Sequence, residues 1–250
     1  MNNSLQLQVV ILAGGEGKRM RSSLPKVLHK IKNKSMLQLV VEKVLELNPL
    51  QVLIVSGNNV ERFQKELSDI ISTSKCPIHF MYQLNPQGTG HAVLMSLPFL
   101  KNYKTLIVNS DTPLIDSCLH EIILKEPPCI MVTQLDNPSG QGRIIMKMNE
   151  DGNFIFSKIV EEKDATKEEK KIKFVNCGIY FLESKHLKET IPFLTNNNAQ
   201  KEYYLTDIFE KLNEKFHLYF LPREKQYQIL NVNTPEDLEK AIEYSICYDI

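Results

Sequence analysis

The stretch Leu12-Ala13-Gly14-Gly15-Glu16-Gly17-Lys18-Arg19-Met20, followed by Pro25-Lys26, combines the parts of an anion site. Glycines let the chain turn sharply and bring main-chain N–H groups close to an anion without an intervening Cβ. Between residues 17 and 34 there are seven lysines and arginines and no acidic residue. In a chain whose charges otherwise cancel, that run makes a local positive field suited to a polyphosphate. A phosphate-binding P-loop would need glycine at position 12 and a hydroxyl residue after Lys18, where Leu12 and Arg19 stand. A dinucleotide fingerprint read from Gly15 and Gly17 would need a third glycine where Met20 is found. The turn is neither. Pro25 fixes the chain direction just before Lys26, so this ammonium can be held near one place.

Two further stretches carry chemistry. Gln83-Leu84-Asn85-Pro86-Gln87-Gly88-Thr89-Gly90-His91-Ala92 joins a strand-like run to a helical one. Gly88 and Thr89 would offer N–H groups at a helix start, and the Gln83 amide suits the edge of a base. His91 reads as a packing or capping group rather than a catalytic one. In Ile107-Val108-Asn109-Ser110-Asp111-Thr112-Pro113 a carboxylate lies just past a buried strand. Asp111 is a candidate Mg²⁺ ligand, with an ordinary turn aspartate as the alternative; Mg²⁺ takes few protein oxygens and finds the rest on phosphate and water. No Asp-x-Asp or histidine-rich cluster competes for the metal.

These stretches must be held by a scaffold, and the apolar pattern predicts one. Residues 7–13, 52–55, 78–82 and 105–108 are short strand-like runs. They alternate with helical spacing over 36–47, 60–71 and 92–97. Such alternation predicts an α/β fold, a mixed and mainly parallel central sheet with helices on both faces. After about residue 128 the pattern turns to strands at 129–135, 143–148, 155–160 and 173–182, with turns at Pro138-Ser139-Gly140 and Asp151-Gly152-Asn153. Helical periodicity returns at 205–212 and 235–246. We expect one domain over residues 1–250: a first half to 112, a second half over 113–233 and a terminal helix. The charged run 163–173 reads as a solvated loop or helix face.

Composition limits the alternatives. At 250 residues the chain can bury roughly 70–75% of its unfolded surface without staples. Thirty basic residues against thirty acidic ones argue against a protein that coats nucleic acid or anionic membrane. The basic tract also lacks interleaved aromatics. Nothing approaches about 18 consecutive apolar residues, the length of a membrane span. The start of the chain has neither the charge nor the apolar run of a signal peptide. Five scattered cysteines with no Cys-x-x-Cys pair read as reduced thiols of a cytoplasmic protein.

Taken in order, these pieces resemble the uridyltransferase part of bacterial N-acetylglucosamine-1-phosphate uridyltransferases, over nearly the whole chain. The resemblance rests on Leu12 to Gly15 with Arg19-Met20, Leu24-Pro25-Lys26-Val27-Leu28-His29, Gly88 to Ala92 and Asp111-Thr112-Pro113-Leu114-Ile115. It continues through Gly142-Arg143-Ile144, Ile159 to Thr166, Asn176-Cys177-Gly178-Ile179, Asn196 to Gln200, Glu202 to Asp207 and Asn231-Val232-Asn233. It implies a Mg²⁺-dependent enzyme joining UTP and N-acetylglucosamine 1-phosphate. Leu12, Ala13, Gly14, Gly15, Gln83, Gly88 and Thr89 would hold uracil and ribose. Arg19 and Lys26 would contact phosphates, and Asp111 and Asn233 would bind Mg²⁺. Gly142, Glu161, Asn176 and Lys163 would line the sugar-phosphate pocket, next to Asn109 and Ser110.

Several positions depart from the family pattern. Gly14 replaces its second alanine, expected to loosen the turn harmlessly. Tyr-Gly-Asp becomes Asn109-Ser110-Asp111, Gly-Tyr-Gly-Arg becomes Gly140-Gln141-Gly142-Arg143, and Asn-Thr-Gly becomes Asn176-Cys177-Gly178. Two aromatic walls near the sugar are thus amides, which puts the sugar preference in question more than the reaction type. The resemblance also sets an expectation that the hexapeptide β-helix of family members is missing, and with it their acetyltransferase activity and trimer. The alternatives are a related sugar-1-phosphate nucleotidyltransferase with another sugar or base, and a non-catalytic nucleotide-sugar-binding subunit.

Overall fold

The structure is a computed structural model that describes residues 6–15, 17–152, 154–212 and 216–248. Glu16 of the glycine turn, Asn153 of the second predicted turn and the first five residues lie outside the described residues. Strand β1 (Leu7–Leu12) explains the architecture. Leu7, Val9 and Ile11 join one apolar core, while Val10 joins a second on the opposite face. A strand with a core on each side must be central and covered on both faces, which is how parallel sheets occur. Its neighbours follow the same rule. In β4 (Gln51–Val55), Val52 and Ile54 face the first core and Leu53 and Val55 the second.

The short hairpin β2–β3 (Lys30–Ile31, Lys34–Ser35) leads into helix α1 (Met36–Glu46). Ser35 and Gln38 close a capping box at its start, so two orphan N–H groups of the first turn are satisfied. Leu37, Val40, Val41 and Val44 of α1 cover the first face. The predicted helical stretch 60–71 divides into α2 (Val60–Glu66) and α3 (Ser68–Thr73). Leu67 stands between them at φ −97° and ψ 10°, its side chain wholly buried in the core. Burial of that one leucine overrides the continuous period. Then follow β5 (Ile78–Met81), α4 (Thr89–Ser96) and β6 (Lys104–Asn109). Ala92 and Val93 of α4 pack in the second core, opposite α1.

Helix α5 (Ser117–Ile122) precedes β7 (Cys129–Gln134), β8 (Arg143–Met148), β9 (Phe154–Val160) and β10 (Phe174–Glu183). Helices α6 (Ser184–Thr190) and α7 (Ile208–Lys211), strand β11 (His217–Phe220) and α8 (Pro235–Cys247) complete the chain. The sheet runs β11-β7-β10-β6-β1-β4-β5, with the β8–β9 hairpin attached to β10. Pairings β1–β4, β1–β6, β4–β5 and β7–β11 are parallel; those of β10, and β8 with β9, are antiparallel. The expected mixed sheet is therefore present, with three of its four parallel pairings in the first half. Sequence periodicity missed α5, α6 and β11, each seven residues or shorter. The helical reading of 205–212 resolves into a 3-10 turn (Leu205–Asp207) and the single turn of α7. Among the described residues no helix is long and apolar enough to cross a membrane.

After β1 the chain builds β4 and β5 on one side, then returns to lay β6 on the other. Beyond the carboxyl ends of β1 and β6 lies the crevice such a reversal opens, the usual ligand position in an open α/β sheet.

Candidate active site

Two adjoining hollows occupy that crevice. The larger, about 540 Å³, is lined by Leu12, Gly14, Gly15, Lys18, Lys26, Val27, Gln83, Pro86, Gly88, Thr89, Ala92, Asn109, Ser110, Asp111 and Glu202. The smaller, about 190 Å³, is lined by Gly140, Gln141, Gly142, Glu161, Asn176, Cys177, Gly178, Tyr180, Leu205, Thr206, Asn231 and Asn233. Leu12, Thr89 and Asn109 belong to both.

The glycine turn forms one wall of the larger hollow. Ala13 donates its N–H to Val55 (2.7 Å) and is buried in the first core. That amide is spent on the sheet, and Gly14 and Gly15 line the wall. Gly17 has φ +64°, and a Cβ there would meet Lys26 Cβ at 2.5 Å. Only glycine permits the turn to close on Lys26. Lys18 reaches the hollow, whereas Arg19 is exposed and does not line it.

Lys26 opens a short 3-10 turn after Pro25. Its Nζ donates to Asp111 Oδ2 at 2.5 Å and to Asn233 Oδ1 at 2.9 Å. Asp111 stands two residues past β6. The segment bearing Asn233 docks there, because the Val232 N–H donates to the Asp111 carbonyl (2.8 Å) and Asn231 Nδ2 to its carboxylate (3.2 Å). Asn233 itself is tied to the start of α8, its N–H bonding Asp237 (3.0 Å) beside the Thr234–Asp237 capping box. Residues 26, 111 and 233 thus converge on one point. Two hard oxygen donors face a single positive group there, so the donor set fits a small divalent cation, for which the lysine ammonium stands in.

At the far end of the larger hollow, Gln83 is 2% exposed, and its Nε2 donates to Gly88 O (3.2 Å) and His91 Nδ1 (3.0 Å). Gly88, at φ +102°, is forced: a Cβ would lie 2.6 Å from Tyr203 O. The segment Glu202 to Leu205 clamps this turn, with bonds Tyr203 N to Gln87 O, Gly90 N to Tyr203 O (both 2.7 Å) and Leu205 N to Thr89 Oγ1 (3.0 Å). Gly14 is more than a loosened turn. A Cβ there would sit 2.5 Å from Gln83 Oε1, so the glycine makes room for that amide.

The smaller hollow is built by irregularity in β10. Its register shifts between Asn176 and Tyr180, and Gly178 at φ +72° lies so near Asn109 that a Cβ would meet Nδ2 at 2.5 Å. A bulge of this kind re-aims side chains. Asn176 donates to Tyr180 Oη (2.6 Å), and its carbonyl oxygen accepts the Gly178 N–H (3.1 Å). Glu161 accepts from Thr206 Oγ1 (2.9 Å), and burial pushes its carboxyl above the usual range. A Cβ on Gly142 would approach Ile159 Cγ2 to 3.2 Å and the Glu161 carboxylate to 3.4 Å. Lys163 is exposed and lines neither hollow. Asn109 and Gln141, the two amides in place of aromatics, both line the smaller one.

Sequence reasoning assigned no role to Lys18, Thr206, Glu202 or Asn231. The alternation Asn231-Val232-Asn233 could have found Asn231, since Val232 is buried and its neighbours turn the other way. Thr206 and Glu202 come from a segment whose place beside Gly88 only the tertiary bonds decide.

The family described as nucleotidyl transferase matches residues 8–227. The chain is 42% identical to a probable UDP-N-acetylglucosamine pyrophosphorylase of Acanthamoeba polyphaga mimivirus, covering 95% of this chain and 96% of that protein. It is 41% identical to the bifunctional protein GlmU of Francisella philomiragia (82% of this chain, 44% of that protein) and 36% to that of Legionella pneumophila (94% and 51%). It therefore spans about half the length of these bifunctional relatives. In fold it is similar to a putative glucose-1-phosphate thymidylyltransferase from Bacillus anthracis, with TM-score 0.69, 16% identity and coverage of 96% and 95%.

Proposed function

The chain belongs to the nucleotidyl transferase family, and on that premise we propose that it joins UTP and N-acetylglucosamine 1-phosphate into UDP-N-acetylglucosamine, releasing pyrophosphate. The observation that carries this reading is the meeting of Lys26, Asp111 and Asn233 beside the seam of a nucleotide-sized hollow and a sugar-sized one. The names of the similar mimivirus and bacterial proteins support the choice of substrates.

The nucleoside lies in the larger hollow, its base against Gln83 and Gly88 and its triphosphate toward Lys18 and Lys26. The sugar lies in the smaller one, its hydroxyl and amide groups facing Glu161, Asn176 and the Gly142 main chain. A phosphate oxygen of the sugar phosphate attacks the α-phosphorus; the bond to the β-phosphate oxygen breaks and pyrophosphate leaves with that electron pair. The attacking phosphate is ionised near neutral pH, so no general base is required. What the side chains supply is alignment and charge neutralisation. Asp111 and Asn233 would hold a divalent cation, which we assign as Mg²⁺; when bound, it offsets the repulsion between two polyanions. Lys26, released from those two oxygens, turns to phosphate. Arg19, one residue beyond Lys18 on the rim, is assigned to the leaving pyrophosphate.

Pyrophosphate release across four nucleoside triphosphates and a panel of hexose and hexosamine 1-phosphates tests this reading. UTP with N-acetylglucosamine 1-phosphate should be the best pair, and preference for another triphosphate overturns it. Arg19→Ala should lower turnover roughly a hundredfold or more, the scale of one transition-state donor; near-normal turnover removes Arg19 from the reaction.

A further inference from the structure

His91 has no part in the phosphate chemistry, yet its ring is tied to the residue that faces the base. Gln83 Nε2 has two hydrogens, and both are used. One goes to the Gly88 carbonyl at 3.2 Å and the other to His91 Nδ1 at 3.0 Å. A carbonyl can only accept, so the amide nitrogen, not the oxygen, must face Gly88. That orientation makes His91 Nδ1 an acceptor as well, which puts the ring's proton on Nε2. The Gly88 carbonyl is itself fixed, since it also accepts the Ala92 N–H (3.1 Å) and Gly88 is wedged at φ +102° against Tyr203. His91 is held from the same side, its ring centroid 6.5 Å from that of Tyr203. What remains of the amide is Oε1, turned toward Gly14 on the wall of the nucleotide hollow.

We infer that His91 is a positioning residue for base selection: with Gly88 it consumes both amide hydrogens of Gln83, so that Gln83 presents only an acceptor to the nucleotide. A pyrimidine with a protonated ring nitrogen, as in uracil, donates to that oxygen. Cytosine brings a bare ring nitrogen to the same place, where two lone pairs oppose each other. Without the imidazole, one amide hydrogen loses its partner and the opposite orientation, with nitrogen toward the base, costs less. The inference rests on the reading that the base lies against Gln83.

The test compares kcat/KM for UTP and CTP, with N-acetylglucosamine 1-phosphate saturating, in the full chain and in H91A, H91N and Q83A. Asparagine can place Oδ1 where Nδ1 was, so it restores an acceptor in a side chain of similar reach. H91A should lower the UTP-to-CTP ratio by about tenfold, the scale of one buried hydrogen bond, with the loss in KM for UTP rather than kcat. H91N should recover most of the ratio, and Q83A should lose at least as much as H91A. An unchanged ratio in H91A alongside a collapsed ratio in Q83A overturns the inference while leaving the base site standing. An unchanged ratio in Q83A as well overturns the base site, and the inference with it. Loss in H91N as deep as in H91A also counts against an acceptor role.

Discussion

The two hollows of the site are built differently. Around the smaller one the polar side chains are already bonded to each other: Asn176 to Tyr180, Glu161 to Thr206, with Gly142 and Gly178 pressed against their neighbours. At the phosphate end of the larger one the cationic groups are set differently. Lys18 and Arg19 are exposed, and Lys26 is held by two oxygens that a cation would claim. On the proposed reading the sugar end is a mould whose polar groups are bonded to one another, and the phosphate end holds a lysine that would change partners when a cation binds. Discrimination among neutral sugars depends on small differences in fit, which a rigid wall preserves. A phosphoryl displacement depends instead on cations placed where charge develops.

That contrast can be broken most sharply at Asp111. Replacing it by alanine should cut turnover by at least a hundredfold and abolish Mn²⁺ binding, read as loss of the bound fraction in an EPR titration. A variant that still bound metal normally would remove the carboxylate from the cation site. Lys26→Ala separates the two parts of that residue's behaviour. Turnover should fall about a hundredfold, while Mn²⁺ binding in the absence of nucleotide should tighten, because no ammonium competes for Asp111 and Asn233. Equal or weaker binding would mean the lysine does not stand in for the metal. At the sugar end, Glu161→Gln should raise KM for the sugar phosphate about tenfold and leave KM for UTP alone, since one charge-assisted bond is lost from a wall that stays in place. A matching rise in KM for UTP would show that the two ends are not separate.

The smallest effect concerns stability. Burial pushes the Asp207 carboxyl up to about 6, with the charge of Glu210 adding to the shift. Unfolded, an aspartate titrates near about 3.9. Between these values the folded chain keeps a proton that the unfolded chain has shed, so stability falls as pH rises through that window. Asp207→Asn should therefore gain on the order of 1 kcal/mol above pH 7, about 2–4 °C in Tm, and nothing at pH 4 or below. Melting curves at the two pH values check this; a gain that did not depend on pH would assign it to something other than the charge.

Much of the fold could be read from residue order alone. The mainly apolar runs at 7–13, 52–55 and 105–108 call for burial on both faces, and a central, covered sheet provides it. The larger hollow follows, because glycines after one such strand and a carboxylate after another must meet at the reversal. Lys26 and Arg19 were equally basic in the sequence, yet one lies between Asp111 and Asn233 and the other faces solvent. No periodicity distinguishes them; the glycine at 17 and the proline at 25 do, through the path they force on the loop.

Local sequence determined which residues could do chemistry: hydrogen-bonding type, charge and the ability to take a positive φ belong to each residue wherever it sits. Tertiary structure decided which of them act together. Asn233 meets Asp111 at the Lys26 ammonium across more than a hundred residues, and Glu202 to Leu205 clamp the Gly88 turn from equally far away. Such meetings are set by how the later, irregular segments pack against the sheet, and no local pattern carries that distance.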